Sequence, residues 1–219
     1  YVSFESHSSA IWLQRVRTGE RRRLLARPGI NGSPAFEPTR GDRLAVTLST
    51  VGGNLDIYLV ALADGALTRV TSDPAIDTEA VFSPDGRSLY FTSDRAGSPQ
   101  IYRAEALANA PAKRMTFTGS YNARPRLSPD GKQLAMVTLA GGSYRVAAQD
   151  LATGVVRQLT KGPLDESPSF APNGAMLIYA GRDRGQGVLA TVAIDGLTTQ
   201  RLKADEGEVR EPVWGPRRP

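Results

Sequence analysis

The chain has 219 residues, 40% of them hydrophobic, with a formal net charge of +5 from 27 basic and 22 acidic side chains. That length suffices for one sizeable domain, and no change of composition or low-complexity stretch marks an internal linker. No run approaches 18 apolar residues, which argues against a membrane-spanning helix, and the lack of cysteine rules out disulfides while leaving the redox compartment open.

The chain opens at Tyr1-Val2-Ser3-Phe4, without an initiator Met or a charged-then-apolar leader, as expected of a processed or truncated chain. The only basic cluster, Arg21-Arg22-Arg23, falls in a strand-like segment, 21–26. No aromatic residues interleave with it to stack bases, so nucleic acid is not an expected partner. It reads instead as an exposed outer strand whose charges oppose edge-to-edge pairing. A turn follows at Phe36-Glu37-Pro38-Thr39-Arg40-Gly41. It returns in sharper form as Phe82-Ser83-Pro84-Asp85-Gly86, Leu127-Ser128-Pro129-Asp130-Gly131 and Phe170-Ala171-Pro172-Asn173-Gly174, and weakly as Trp214-Gly215-Pro216. The prolines at 38, 84, 129, 172 and 216 lie 46, 45, 43 and 44 residues apart. Five units, approximately 1–43, 44–88, 89–133, 134–176 and 177–219, therefore account for the chain. A period near 44 predicts an all-β fold, a β-propeller of four-stranded blades with five repeats present.

One unit shows the local reasoning. Leu89–Ser93 is short and apolar, Asp94 to Ser98 is a turn, and Gln100–Ala104 is a second strand. Lys113–Thr116 is a third, and after a loop over 117–124 the strand Pro125–Leu127 enters the next turn. In that turn Pro presets φ, Asp bonds nearby backbone and Gly accepts a positive φ. The best helical candidate, 104–112, holds Asn109 and Pro111 and reads as loop. Tyr58, Tyr90, Tyr102 and Tyr179 are expected to pack between blades, because strands this short bury their faces only by stacking.

If the strand before each Pro-Asp-Gly turn is innermost, antiparallel order puts five crossovers on one face, at the channel mouth. They are Asn31-Gly32-Ser33, Asp77-Thr78-Glu79, Asn122-Ala123-Arg124, Asp165-Glu166-Ser167 and Val209-Arg210-Glu211. Loops on a rigid scaffold concentrate binding residues, so these segments are the candidate partner site. Asp77, Glu79, Asp165, Glu166 and Glu211 read as a solvated acidic rim; as hard oxygen ligands converging on Ca²⁺ they are the alternative. No cofactor is expected. Catalytic chemistry is scarce. The lone histidine, His7, sits in the turn Ser6-His7-Ser8-Ser9, and no Gly-x-Ser-x-Gly elbow presents a nucleophile, so no enzyme is expected.

The Ser-Pro-Asp-Gly repeat resembles those of the TolB family, of tricorn-type proteases and of the gating propellers of prolyl-oligopeptidase-like peptidases. Longer stretches are similar to the TolB family: Tyr1 to Ser6, Gln149 to Gly154, and Leu164 to Gly174. The resemblance implies a periplasmic Tol–Pal protein that binds Pal, the peptidoglycan-associated lipoprotein, and supports outer-membrane integrity and invagination during cell division. It implies a crossover face that receives Pal and the translocation segments of some colicins. Thr78 and Glu79 match the family's Asp/Asn-Thr-Glu stretch, and Asp165 and Glu166 its Leu-Asp-Glu stretch; Ile30 stands where the family often has histidine. It also implies a six-bladed ring, of which this chain is expected to be a fragment. The α/β domain through which the family contacts TolA is not among these residues. The alternative is the non-catalytic gating propeller of a serine peptidase.

Overall fold

The computed structural model describes residues 1–5, 7–49, 53–183, 185–202 and 209–215, and every regular element among them is a β-strand. The chain forms two compact units, Tyr1–Met115 and Thr116–Pro219. Ser6 of the first turn and Pro216 of the last repeat lie outside the described residues.

In the first unit, β1 (Val2–Ser3), β2 (Ala10–Gln14) and β3 (Arg21–Leu25) form a three-stranded sheet. Two four-stranded sheets follow: β4 (Asn31–Phe36), β5 (Arg43–Ser49), β6 (Leu55–Ala61) and β7 (Leu67–Arg69), then β8 (Asp77–Phe82), β9 (Ser88–Ser93), β10 (Gln100–Glu105) and β11 (Lys113–Arg114). The second unit repeats the pattern. One sheet comprises β12 (Asn122–Leu127), β13 (Gln133–Ala140), β14 (Ser143–Asp150) and β15 (Val156–Gln158). The other comprises β16 (Asp165–Phe170), β17 (Met176–Asp183), β18 (Gln186–Ala193) and β19 (Thr199–Leu202). Every pairing within these sheets is antiparallel between consecutive strands. These are propeller blades. The three arginines are exposed on β3, and the segment 104–112 leaves β10 as bends and coil rather than helix.

The expected strands differ from the observed ones in one systematic way. The segments read as crossover loops are the first residues of the inner strands, so β12 begins at Asn122 instead of at Pro125. The same holds for β4, β8 and β16. A bulge after the second residue of each strand lets the chain pair, swing out and pair again. Each sequence repeat is also out of phase with the sheets: unit 44–88 supplies β5, β6 and β7 to one sheet and β8 to the next.

The sharp turns are built as their chemistry requires. The Gly86 N–H donates to the Ser83 carbonyl at 2.8 Å, and Asp85 Oδ1 accepts from the Ser83 hydroxyl at 2.6 Å and the Arg87 N–H at 3.0 Å. Gly86 and Gly131 both take φ +70°. Hydrogen bonds from the neighbouring serine hydroxyls, Ser83 and Ser128, hold the Asp85 and Asp130 carboxyls below the usual carboxylate range. The first copy lacks that aspartate, and Glu37 replaces it. Its carboxylate accepts from the Thr39 hydroxyl and from the N–H groups of Thr39, Arg40 and Gly41 at 2.5–3.1 Å. Burial pushes this carboxyl up, but the four donors outweigh it and hold the pKa at about 2.

The core lies between sheets. Ile11 and Leu25 pack with Leu44, Val46, Leu48 and Val60, with Tyr58 against them. The opposite side of that second sheet gives Ala45, Ile57 and Leu59 to a cluster with Phe82, Leu89, Phe91 and Tyr102. In the second unit, Ala135, Val146 and Ala148 meet Phe170, Leu177, Tyr179 and Val192. Period-two alternation thus feeds both faces of an inner sheet into different clusters.

Two outcomes are expected. Phe91 is fully buried, so Phe91→Ala should cost about 3–5 kcal/mol in denaturant unfolding, whereas Phe36→Ala, 60% exposed, should cost within about 0.5 kcal/mol. Glu37 has a depressed folded pKa, so its stabilisation is complete above the ordinary value of 4.5 and is lost as pH falls through about 2. The Tm gap between wild type and Glu37→Gln should accordingly be constant above that window and shrink within it.

Candidate functional site

Each inner strand opens with the same four-residue device. Pairing to the second strand shifts between Gly32 and Ala35, Thr78 and Val81, Ala123 and Arg126, and Glu166 and Ser169. Within each shift one residue is left-handed: Ser33 (φ 49°), Glu79 (58°), Arg124 (55°) and Ser167 (54°). Glu211 (50°) occupies the equivalent place in the last repeat. Four of these five precede a proline, Pro34, Pro125, Pro168 and Pro212, which has no N–H to give the ladder and suits a bulge.

The first residue of the device is an anchor. Asn31, Asp77, Asn122 and Asp165 are all buried polar side chains. Asn31 Nδ2 donates to the carbonyls of Ser9 at 2.9 Å and Arg27 at 2.7 Å, while its Oδ1 accepts from the Arg27 N–H. Asn122 Nδ2 donates to the Thr118 carbonyl at 2.8 Å. Asp165 Oδ2 accepts from the Gly162 N–H at 2.8 Å, and a Cβ on Gly162 would fall 2.3 Å from Asp165 Oδ1. Burial, with the Asp165 charge nearby, pushes the Tyr179 phenol up to about 12. Asp77 binds the Arg95 guanidinium through both oxygens, at 2.9 and 2.8 Å. That guanidinium lies over the rings of Tyr102 (4.8 Å) and Phe91 (5.6 Å). Burial raises the Asp77 carboxyl above its ordinary value, with Ser93 and Arg95 opposing.

The later polar positions are more accessible, except Ser167, which is buried. Thr78, Glu79, Arg124 and Glu166 are half-buried, while Ser33 and Glu211 are exposed. Glu79 Oε2 accepts from the Thr92 hydroxyl at 3.2 Å, and its N–H donates to Thr47 Oγ1 of the preceding sheet. In the second unit Arg124 Nη1 donates to Ser167 Oγ at 2.5 Å and lies 3.6 Å from the Glu166 carboxylate, joining two neighbouring blades. A cavity of about 210 Å³ beside them is lined by Glu166, Val209, Arg210 and the β17–β18 hairpin residues Arg182 and Gly187. A larger one, about 630 Å³, lies among the Pro-Asp-Gly turns and the β14–β15 turn, beside Asp130, Asp150 and Asn173.

Among the described residues no group of three or more His, Cys, Asp or Glu side chains is placed to hold a metal. Of the Ca²⁺ candidates, Asp77 gives both oxygens to Arg95 and Asp165 gives Oδ2 to the Gly162 N–H, while Glu79, Glu166 and Glu211 lie at later positions of the device. His7 is exposed in its turn, at φ 64°, with its N–H donating to the Phe4 carbonyl at 3.0 Å. Reasoning from sequence missed the anchoring role of Asn31, Asp77, Asn122 and Asp165 and the network partner Arg95. An Asx-x-x-Pro signature, present in three repeats and varied to Asp77-Thr78-Glu79-Ala80 in a fourth, marks the device.

Four-stranded antiparallel sheets at a 44-residue period, with cores between successive sheets, define a β-propeller repeat protein. The family model described as "TolB beta propeller domain" matches residues 1–218, and the chain belongs to that family. The Tol-Pal system protein TolB of Bordetella pertussis is 46% identical over 217 residues, 99% of this chain and 49% of that protein. The crystal structure of TolB from Acinetobacter baumannii superposes with a TM-score of 0.92 at 48% identity, covering 99% of this chain and 54% of that one. The chain thus spans about half the length of the curated relatives it matches. The tricorn protease, 16% identical with a TM-score of 0.68, shares the fold alone. Among the described residues no helix is long and apolar enough to cross a membrane.

The Arg95–Asp77 pair makes a stability test. Removing one partner of a buried pair typically costs about 3–5 kcal/mol, so Arg95→Met should lower the unfolding free energy by that order. Asp77→Asn added to it should recover part of the loss, because Asn occupies the same position in β4 and β12.

Proposed function

We propose that the chain is a non-enzymatic protein-binding propeller of the Tol–Pal system, working in the periplasm, and that its crossover face docks Pal. The observation that carries this reading is the contact between neighbouring blades at that face: Arg124 from one inner strand reaches Ser167 and Glu166 of the next. Polar side chains of both charges are held there on backbone whose first residue is anchored in the core. A partner meeting such a surface pays little for ordering it, which is how a rigid scaffold favours affinity. Membership of the TolB family supports the choice of partner. In this reading Pal contacts Asn31, Ser33, Asp77, Thr78, Glu79, Asn122, Arg124, Asp165, Glu166, Ser167 and Glu211 segments, with the buried anchors acting through the residues they position. Colicin translocation segments compete for the same face. Contact with TolA belongs to the part of the relatives outside these residues. Support for outer-membrane integrity and for invagination at division follows from holding and releasing Pal.

Calorimetric titration of the soluble Pal domain into the chain tests the reading. A buried interfacial carboxylate that loses its partner costs about 2–5 kcal/mol, and about 1.4 kcal/mol is a factor of ten. Glu79→Ala or Glu166→Ala should therefore weaken Pal binding about tenfold or more. Asp85→Asn and Asp130→Asn, in turns on the opposite side of their sheets, should leave the affinity unchanged in folded protein. Losses confined to the turn variants would place the site on the other face.

A further inference from the structure

Left-handed backbone is common in this chain, and glycine usually supplies it. Fifteen glycines among the described residues take positive φ, against seven residues of other types. Five of those seven are the third residue of the inner-strand device: Ser33, Glu79, Arg124, Ser167 and Glu211. The other two, His7 and Asn109, lie in unrelated turns. A Cβ in this region crowds the following carbonyl, and only glycine, and to a lesser degree Asn or Asp, adopts it without appreciable strain. A following proline narrows the preceding residue's choices further, and four of the five positions carry that second constraint. Glycine at this place would give the same bulge with less strain, yet none of the five repeats uses it. The side chains kept there are two carboxylates, one guanidinium and two hydroxyls. None is apolar, so hydrophobic packing does not explain their retention. Ser33 and Glu211 are exposed, Glu79 and Arg124 are half-buried, and Ser167 is buried with its hydroxyl accepting from Arg124.

We infer that this third position is a specificity-determining position of the propeller face: a strained residue retained for the polar group it brings to a docked protein, directly or, at buried Ser167, through Arg124. This rests on the reading that the crossover face binds Pal, and it divides that face more finely. The first residue anchors the strand. The third adds recognition chemistry beside second-position residues such as Glu166, and the chain gives up stability to keep it. The mixture of acid, base and hydroxyl fits a partner surface that is polar and of mixed charge, rather than an apolar groove or a uniformly charged polymer.

Such a trade has a signature that simple structural importance would not produce: stability and binding move in opposite directions. Ser33→Gly and Glu211→Gly, one in each unit, should raise Tm by about 2 °C or more, as expected when strain is relieved in a domain of this size. The same variants should weaken binding of the soluble Pal domain, Glu211→Gly by at least about fivefold, since lost charge pairs at an interface act on affinity. Glu211→Asp keeps the charge and should bind within about twofold of wild type. His7→Gly relieves strain at a left-handed residue outside the face and should raise Tm with affinity unchanged. A fall in Tm for both glycine variants would remove the strain argument and overturn the inference. Wild-type affinity in both, with Glu166→Ala still weakening Pal, would overturn the inference and leave the docking reading standing. Failure of the unaltered chain to bind Pal would overturn both.

Discussion

The constraint on which the structure depends is that a four-stranded sheet of this size cannot bury its own faces. Each sheet has two apolar sides and needs a neighbour on each, so the hydrophobic term is collected between sheets. The repeat period, the brevity of the turns and the small side chains at Ala45 and Ala80 serve that stacking. It also explains the polar anchors. Where an inner strand enters, the chain must leave one sheet and start the next without exposing unpaired backbone. Buried Asn or Asp side chains take up the loop carbonyls and N–H groups there.

The fold was legible because its strongest signal is local. Pro, Asp and Gly act on their own turn, and four near-copies at one period leave few architectures open. Strand interiors such as 89–93 and 100–104 were equally clear from apolar alternation. The inner-strand starts were not. Their polar composition, as in Asn122-Ala123-Arg124, looks like loop, and only the pairing to β13 shows that they are strand with a bulge. Likewise Asp77 and Asp165 look like solvated carboxylates until their distant partners, Arg95 and the Gly162 N–H, are in place. Tertiary hydrogen bonds decided these cases. Glu37 is a further instance: nothing in Phe36-Glu37-Pro38 announces a carboxylate that closes the turn by itself.

For the candidate face, reading the crossover segments from sequence assigns uniform roles within them. The structure separates residues that hold from residues that reach. Acidic character is a poor guide to the rim. Half-buried Glu166 is met by Arg124, and Asp77 is neutralised within its own blade. What distinguishes the face is backbone geometry repeated from blade to blade, with side-chain identity free to vary upon it.

The offset between sequence repeat and sheet has one more implication. Because unit 44–88 places three strands in one sheet and its last in the next, successive sheets are joined as overlapping tiles rather than beads. Losing β8 would strip the first strand from its own sheet and uncover the side of β4, β5 and β6 that packs against it, so damage at a single inner strand spreads to the preceding sheet. Duplication or loss of whole 44-residue modules, by contrast, leaves every overlap intact.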